Sequence, residues 1–236
     1  MPYFPDSKIL FIHIPKNAGM YVDRSLGMLP VFDKVPKLLH LGRQFCGLAY
    51  RAYRRLLDPV RIDIDLKMRQ YRYGDSAGMY KCQHVTLSEV LSLRMLDKRE
   101  LDNCIVLAIH RNPLSRAISM YQWSPIHKYL SFEEFCEKWI LHPWESGLNY
   151  GQLSHVRTQA SYIEGYEQFG DRFNLISFEN LGVEFAEFCR KYDVAIPSDT
   201  KVNRSAPFQG EVSERSLSII TDTYKEDYLR FGYDFP

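Results

Sequence analysis

The chain has 236 residues, of which 45% are hydrophobic and 25% are charged, and its formal net charge is +1. This length and composition favour one globular domain over residues 1–236, large enough to bury a substantial core. The near-zero net charge gives no overall argument for nucleic acid or membrane binding, and no segment approaches the roughly 18 apolar residues of a membrane span.

Apolar runs and the amphipathic segments between them predict an α/β protein. The predicted strands are 9–14, 79–84, 104–110 and 173–178. The predicted helices are 21–29, 87–96, 114–123, 132–141, 183–192 and 213–231. Strands that alternate with helices indicate a mostly parallel sheet with right-handed crossovers. Residues 139–156 are interpreted as a loop. Residues 31–78 form a long basic excursion that we expect on the acceptor side of a site.

Cysteine usage and the N-terminal sequence favour a cytoplasmic protein. The five cysteines are scattered and form no CxxC pair, which indicates reduced core thiols and offers no zinc-ligand spacing. The N-terminus lacks a basic segment followed by an apolar one, so no signal peptide is indicated. A lumenal domain trimmed of its anchor is the alternative.

The first motif is a strand, a tight loop with a lysine, and the start of a helix. After the apolar run, Pro15 ends the strand, and residues 16–19, Lys-Asn-Ala-Gly, turn the chain towards the helix. Backbone N–H groups without intrahelical partners, the helix dipole and Lys16 suit a phosphate-like anion. The loop is not a Walker A sequence, because GxxxxGK[ST] is absent. A generic strand–turn–helix with a surface lysine is the other interpretation.

The second motif follows the strand predicted at 104–110. Arg111 lies at the carboxyl end of this strand, where open α/β sheets bind ligands, and its guanidinium can hold a phosphate through two parallel hydrogen bonds. Asn112 and Pro113 suit the N-cap and the first position of a helix. Ser119, eight residues after Arg111, can offer a hydroxyl to the same group. An arginine paired with a carboxylate and a serine on a helix face are the alternative.

Together the two motifs resemble the nucleotide-binding signatures of sulfotransferases that use 3′-phosphoadenosine 5′-phosphosulfate. Residues 11–26, FIHIPKNAGMYVDRSL, resemble the family's 5′-phosphosulfate loop, and residues 108–123, AIHRNPLSRAISMYQW, resemble its 3′-phosphate element. The resemblance is closest to the carbohydrate branch, Golgi-type and related bacterial. It continues through KCQHVTLSEV, VRTQASYI, FNLISFENLGVEFAEFC, TKVNRSAP and YKEDYLRFGYDF, and it has gaps at 31–78 and 124–149.

The resemblance implies a P-loop-like three-layer sandwich, with a mostly parallel central sheet flanked by helices. It implies transfer of a sulfonate from this donor, a co-substrate, to a hydroxyl, with a glycan or glycolipid favoured as acceptor and without a metal. The implied donor-binding residues are Lys16, Asn17, Ala18, Gly19, Met20, Tyr21, Arg111, Ser119, Asn203 and Arg204. Met20 and Tyr21 stand where the family carries hydroxyl residues, which bears on donor affinity.

The resemblance also assigns catalytic roles. It places the family's catalytic histidine on His84, the candidate general base, and Lys16 is the candidate for stabilising charge on the leaving group. The competing bases are His13, His110, Glu89 and Glu179. The other four histidines, His155 among them, have no partner motif. Arg157 and Gln159 are candidates for acceptor or nucleotide contact, and a solvated helix face is equally compatible with them.

Two other functions remain open from the sequence. One is a catalytically silent relative that binds a nucleotide or a glycan, which the Met20–Tyr21 departure favours. The other is a kinase-like phosphotransferase of similar fold, which the missing Walker A loop argues against. The basic residues of the 31–78 excursion could hold an acidic glycan, but a solvated charged surface is the more common explanation of such a run.

Overall fold

The computed structural model describes residues 3–4, 7–26, 84–195 and 207–236. The excursion at 31–78, most of the strand predicted at 79–84, and the candidate donor-binding residues Asn203 and Arg204 lie outside the described residues.

A mixed, mostly parallel sheet organises the described part of the chain. Its strands are β1 (Tyr3–Phe4), β2 (Ile9–Ile12), β3 (Ile105–His110) and β4 (Phe173–Ser177), in the spatial order β1-β2-β3-β4. β1 runs antiparallel to β2, whereas β2, β3 and β4 are parallel, with Ile9 opposite Ile105 and Val106 opposite Phe173. The predicted α/β class and the mostly parallel sheet are therefore confirmed.

Helices connect the strands and follow the last of them. They are α1 (Gly19–Ser25), α2 (Leu87–Ser92), α3 (Lys98–Asn103), α4 (Pro113–Trp123), α5 (Phe132–Phe135), α6 (Tyr150–Val156), α7 (Leu181–Lys191), α8 (Glu214–Thr223) and α9 (Lys225–Phe231). A π-helical segment, Cys136–Leu141, continues α5, and 3-10 turns lie at Pro125–Lys128, Ala160–Tyr162 and Tyr166–Arg172. None of the helices in the described ranges is long and apolar enough to cross a membrane.

Both faces of the sheet are covered, because alternate residues of a strand point to opposite sides. One face packs against α2 and the 3-10 turns through Leu10, Ile12, Val106 and Ala108. The opposite face packs against α1 and α7 through Ile9, Phe11, Leu107 and Ile109. A separate core joins α4, α5, α8 and α9. Each fully buried aliphatic side chain contributes about 1.5–3 kcal/mol to stability, so this double burial fixes the strand positions.

Several predicted elements were wrong in detail. The helix predicted at 213–231 is two helices broken at Tyr224, whose buried hydroxyl donates to the Val156 carbonyl at 2.9 Å. The loop predicted at 139–156 contains α6, which begins with a capping box formed by Asn149 and Gln152. His84 lies in a turn rather than in a strand. The short elements β1 and α3 were not predicted.

The parallel strands deliver three segments to one edge of the sheet. Residues 13–19 follow β2, Arg111 and Asn112 follow β3, and Phe178 and Glu179 follow β4. Because carboxyl ends of parallel strands meet at the same edge, both sequence motifs lie there together.

Candidate functional site

The loop after β2 has an unusual backbone. Lys16 has φ +70° and Ala18 has φ +58°, whereas Asn17 between them has no positive φ. The left-handed region costs a residue with a side chain roughly 1–2 kcal/mol, so the surrounding structure has to hold this loop. Backbone turns that contain left-handed residues can gather successive N–H groups on one concave side, a geometry that binds anions.

Three side chains hold carbonyl groups of this loop. Arg116 Nε donates to the Pro15 carbonyl at 3.2 Å, and Arg111 Nη1 donates to the Lys16 carbonyl at 3.0 Å. His84 Nδ1 lies 3.0 Å from the His13 carbonyl. The N–H groups of residues 18–20 donate to no acceptor in the described part of the chain. The loop therefore has its carbonyls occupied and several donors available.

Gly19 is required by its contact with His13. A Cβ atom built on Gly19 would lie 1.6 Å from His13 Nε2 and 2.1 Å from its Cε1. His13 is 5% exposed, so its ring has little room to move. The glycine thus lets the imidazole pack against the loop backbone, a reason for this residue that the motif did not reveal.

The Lys16 ammonium lies next to an aromatic ring. Its Nζ is 5.1 Å from the ring centre of Trp123, the last residue of α4. Burial, and then the nearby Arg111 guanidinium, lower the pKa of Lys16 to about 8. A large fraction of this side chain is still protonated at neutral pH, and an arriving anion would favour the charged form.

Arg111 is fixed on several sides. Its Nε donates to Ser115 Oγ at 2.8 Å, and its guanidinium carbon lies 4.0 Å from the ring centre of Phe178. Since Nη1 is bonded to the loop, the Nη2 side of the guanidinium has no partner within the described ranges. Ser119 lies two turns further along α4 and is 6% exposed. The structure thus places Arg111 beside the first motif and Ser119 as a buried residue of the helix that follows Arg111.

Asn17 and Gln159 hold the loop to the sheet from inside. Asn17 Nδ2 donates to the Ile109 carbonyl at 2.7 Å and to Gln159 Oε1 at 2.6 Å. Gln159 Oε1 also accepts from the Arg111 N–H, and Gln159 Nε2 donates to the Arg111 carbonyl. Asp227 accepts the Gln159 and Ala160 N–H groups at 2.8 Å.

This network changes the roles expected for two residues. Gln159 is completely buried, so in this structure its side chain joins the two motifs and does not reach a cleft. Asn17 is 1% exposed, which leaves its backbone rather than its side chain for ligand contact. Asn17 Oδ1 is buried and has no hydrogen-bond partner among the described residues.

His84 lies under the loop with a defined tautomer. Its Nδ1 can only donate to the His13 carbonyl, so Nε2 carries the lone pair in the neutral ring. Burial lowers the pKa of His84 to about 3, against the opposing effect of the His13 carbonyl. The imidazole is therefore neutral at neutral pH, the state in which Nε2 can accept a proton.

Two further histidines and a tryptophan complete the cluster around His84. Its ring meets the rings of His13 and His155 edge to face, with centres 4.7 and 5.0 Å apart. His155 in turn stacks on Trp123 at 4.5 Å with an interplanar angle of 6°. His155 was not predicted as a site residue, because residues 139–156 were interpreted as a loop. The Asn149–Gln152 capping box was the signal that could have revealed this helix.

Arg116 is the other important residue that the sequence analysis missed. It is 1% exposed, and besides the Pro15 carbonyl it donates to the carbonyls of Arg157 and His155, each at 2.9 Å. One buried guanidinium thus joins the loop to the end of α6. The available signal was its place on the apolar side of α4, next to Ala117.

The remaining base candidates are engaged in structural contacts. Glu89 closes the α2 capping box with Thr86 and lies 3.5 Å from Arg157 Nη1. Glu179 accepts from the Asn112 N–H at 3.0 Å and from the Tyr233 hydroxyl at 2.6 Å. Although burial acts to raise the pKa of Glu179, these hydrogen bonds outweigh it and the pKa is lowered. An ionised, occupied carboxylate is a poor proton acceptor.

Three more side chains of the site region have defined places. His110 stacks on Phe231, and its Nδ1 lies 2.9 Å from the Tyr233 hydroxyl, so it is held within the fold. Met20 is 53% exposed. The Tyr21 ring meets Phe185 of α7 edge to face at 5.5 Å, which directs it into the core behind the loop.

Comparisons with known proteins leave this geometry to be interpreted by itself. No family model, curated protein or solved structure matches the chain.

Within the described ranges, no group of three or more histidine, cysteine or acidic side chains is placed to hold a metal ion.

Proposed function

We propose that the protein transfers a sulfonate from 3′-phosphoadenosine 5′-phosphosulfate to an acceptor hydroxyl, with a carbohydrate favoured, on a P-loop-like three-layer fold. The observation that carries the proposal is the loop at residues 13–19. Its carbonyls are held by Arg116, Arg111 and His84, the N–H groups of residues 18–20 have no acceptor among the described residues, and Lys16 brings an ammonium to the same loop. Such a site complements a phosphate or sulfate ester.

The second motif supports a nucleotide with a separate 3′-phosphate. Arg111 has guanidinium N–H groups beyond those bonded to Ser115 and the loop, and a guanidinium binds phosphate oxygens through charge-assisted hydrogen bonds. Ser119 on α4 is the second proposed contact. The loop would hold the 5′-phosphosulfate, and Asn203 and Arg204 remain proposed donor contacts outside the described residues.

The reaction requires side chains and backbone groups that orient the donor, stabilise the leaving group and accept the proton of the acceptor hydroxyl. The acceptor oxygen forms a bond to sulfur as the bond between sulfur and the 5′-phosphate oxygen breaks, and negative charge collects on that phosphate oxygen. Lys16 stabilises this charge, and the loop N–H groups orient the phosphosulfate. A neutral imidazole takes the proton of the acceptor hydroxyl.

His84 is the proposed base, with its Nε2 lone pair as the acceptor of the proton. Its depressed pKa makes it a weak base in the free protein, and the negative charge of a bound donor would raise that pKa. His155 has the same tautomer, because its Nδ1 lies 2.6 Å from the Gly151 carbonyl. Comparison of the two variants is therefore the deciding experiment.

The proposal is tested by turnover with the sulfonate donor and a panel of glycans and glycolipids, detecting sulfated product and released 3′-phosphoadenosine 5′-phosphate. We expect Lys16→Met to lower kcat by at least 100-fold and His84→Ala to lower it by about 100-fold or more. Lys98→Ala removes an exposed ammonium that is paired with Asp102 and is the control. Near-full turnover of His84→Ala at saturating substrates would place the base elsewhere, and His155→Ala would then be examined.

Other outcomes separate the competing functions. Donor binding without turnover on any acceptor favours a catalytically silent relative. Magnesium-dependent hydrolysis of ATP, with no use of the sulfonate donor, favours a kinase-like phosphotransferase.

A further inference from the structure

The Lys16 ammonium has an aromatic neighbour to which the proposed reaction assigns no role. Its Nζ lies 5.1 Å from the ring centre of Trp123. Within the described residues, no carboxylate lies within salt-bridge distance of Lys16. A lysine side chain is a flexible stem, so holding its charge in one place has an entropic cost that some contact has to offset.

Trp123 is 56% exposed and nevertheless fixed. Its ring lies parallel to the imidazole of His155, at 4.5 Å and 6°. His155 is itself held at both ends, because its Nδ1 contacts the Gly151 carbonyl and its own carbonyl accepts from Arg116 Nη2 at 2.9 Å. Because the Trp123 ring is exposed while the His155 ring that supports it is buried, Trp123 can contact a charged group on the solvent side of the site.

We infer that Trp123, supported by His155, is a positioning residue that keeps the Lys16 ammonium beside the loop donors through a cation–π contact. In its link to catalysis this inference rests on the proposed function. A carboxylate in the same place would neutralise the ammonium and repel an anionic donor, whereas an aromatic ring does neither. The ring therefore orders Lys16 while leaving its charge available to the ligand.

The contact itself is tested without any nucleotide. In protein with ¹³C-labelled lysine, the Lys16 Hε resonances are assigned by their absence in Lys16→Met. We expect an upfield ring-current shift relative to the other lysines, which disappears in Trp123→Leu and persists in Trp123→Phe. An unshifted Lys16, or the same shift in wild type and Trp123→Leu, would overturn the inference.

Its consequence is tested by a double-mutant cycle with 3′-phosphoadenosine 5′-phosphate. We expect Trp123→Leu to weaken binding about five- to tenfold in the wild type and to have no further effect in Lys16→Met. Trp123→Phe should retain most of the affinity. Trp144→Leu, which removes a 79% exposed ring from another segment, is the matched control and should leave affinity unchanged.

Failure of the inference about Trp123 and failure of the proposed function give different experimental results. Equal losses in both backgrounds, or tighter binding by Trp123→Leu, would mean that the ring acts independently of Lys16 or competes with the ligand, and would contradict the inference. If the wild type does not bind the nucleotide at all, the proposed function fails, and the ring-current shift alone decides the role of Trp123.

Discussion

Gly19 lacks a Cβ atom, and this lets the His13 ring pack against the loop backbone. The sequence predicted Gly19 as a donor-binding residue within the turn, and the structure adds that the His13 imidazole occupies the space of its missing side chain. Since His13 and His84 are in ring contact and His84 contacts the His13 carbonyl, a disturbance at Gly19 reaches the proposed base directly.

We predict that Gly19→Ala destabilises the protein by about 1–3 kcal/mol, as overpacking does in tight cores, and weakens nucleotide binding. Denaturant unfolding and calorimetry measure the two effects. Gly182→Ala is the control, because a Cβ there meets no atom within 4 Å and Gly182 lies in α7, where alanine is the better helix former. If the two variants are equally stable, the close contact between Gly19 and His13 does not affect the free energy of unfolding.

Lys16 gives a second prediction at the residue scale. With a pKa of about 8 in the free protein, Lys16 is protonated below pH 8 and loses its proton above it. Binding of an anion then requires proton uptake, so affinity should fall up to tenfold per pH unit above pH 8. Calorimetry between pH 7 and 9.5 measures this trend. Lys16→Met should bind weakly at every pH. A wild-type affinity that does not change between pH 7 and pH 9.5 would contradict this prediction.

At the scale of elements, the strands β2, β3 and β4 and the two motifs were predictable, whereas β1 and the links between the motifs were not. The apolar runs of β2, β3 and β4, the N-cap at Asn112 and the position of Arg111 all follow from local patterns. The role of Gln159 depends on atoms 142 residues away in sequence, at Asn17, and no local pattern records such a contact. α6 was missed because its two apolar residues, Leu153 and Val156, provide little periodicity.

Substitution of Arg116 tests whether this side chain joins the loop at residues 13–19 to the end of α6. Arg116→Met leaves three carbonyl acceptors without this donor, those of Pro15, His155 and Arg157. We predict a loss of about 3 kcal/mol or more in the free energy of unfolding, from unsatisfied buried groups, together with loss of nucleotide binding. Denaturant unfolding provides the measurement.

Two further variants make the Arg116 result specific. Arg116→Lys should not restore stability, because one ammonium cannot reproduce the guanidinium fork. Arg215→Met removes an exposed arginine paired with Glu137 and should cost about 1 kcal/mol or less. Similar losses for Arg116→Met and Arg215→Met would refute the joining role.

At the scale of the molecule, the buried histidines link stability to pH. Burial lowers the pKa of His13, His84 and His155, to about 3 for His84 and about 4 for His155. Between these values and pH 6.5 the unfolded state binds more protons than the folded state, so stability decreases as pH falls. The limit is about 2 kcal/mol per histidine between pH 7 and pH 5.

Urea unfolding at pH 7 and pH 5 measures this linkage. We predict that His155→Gln has a smaller difference between the two pH values than the wild type, even if it is less stable at pH 7. His142→Gln, which replaces an exposed histidine, should keep the wild-type difference. An unchanged difference in His155→Gln would show that this imidazole does not drive the acid sensitivity.

The class of the fold was predictable because parallel strands buried on both faces have a distinctive composition. The candidate site was predictable in part: Lys16 and Arg111 lie in recognisable motifs, and the topology brings them to one sheet edge. The cluster of His155, Trp123 and Arg116 depends on packing between α4, α6 and the loop, which the sequence expresses only through unremarkable helix residues.

We propose that this sheet edge binds a nucleotide through its 5′ and 3′ phosphoryl groups together. Calorimetric titration of the wild type and Arg111→Ala with 3′-phosphoadenosine 5′-phosphate and with adenosine 5′-phosphate tests it most directly. We expect the wild type to prefer the 3′-phosphorylated nucleotide by more than about tenfold, because of charge-assisted hydrogen bonds, and Arg111→Ala to lose this preference. Equal affinity for the two nucleotides, or a preference that survives in Arg111→Ala, would contradict it.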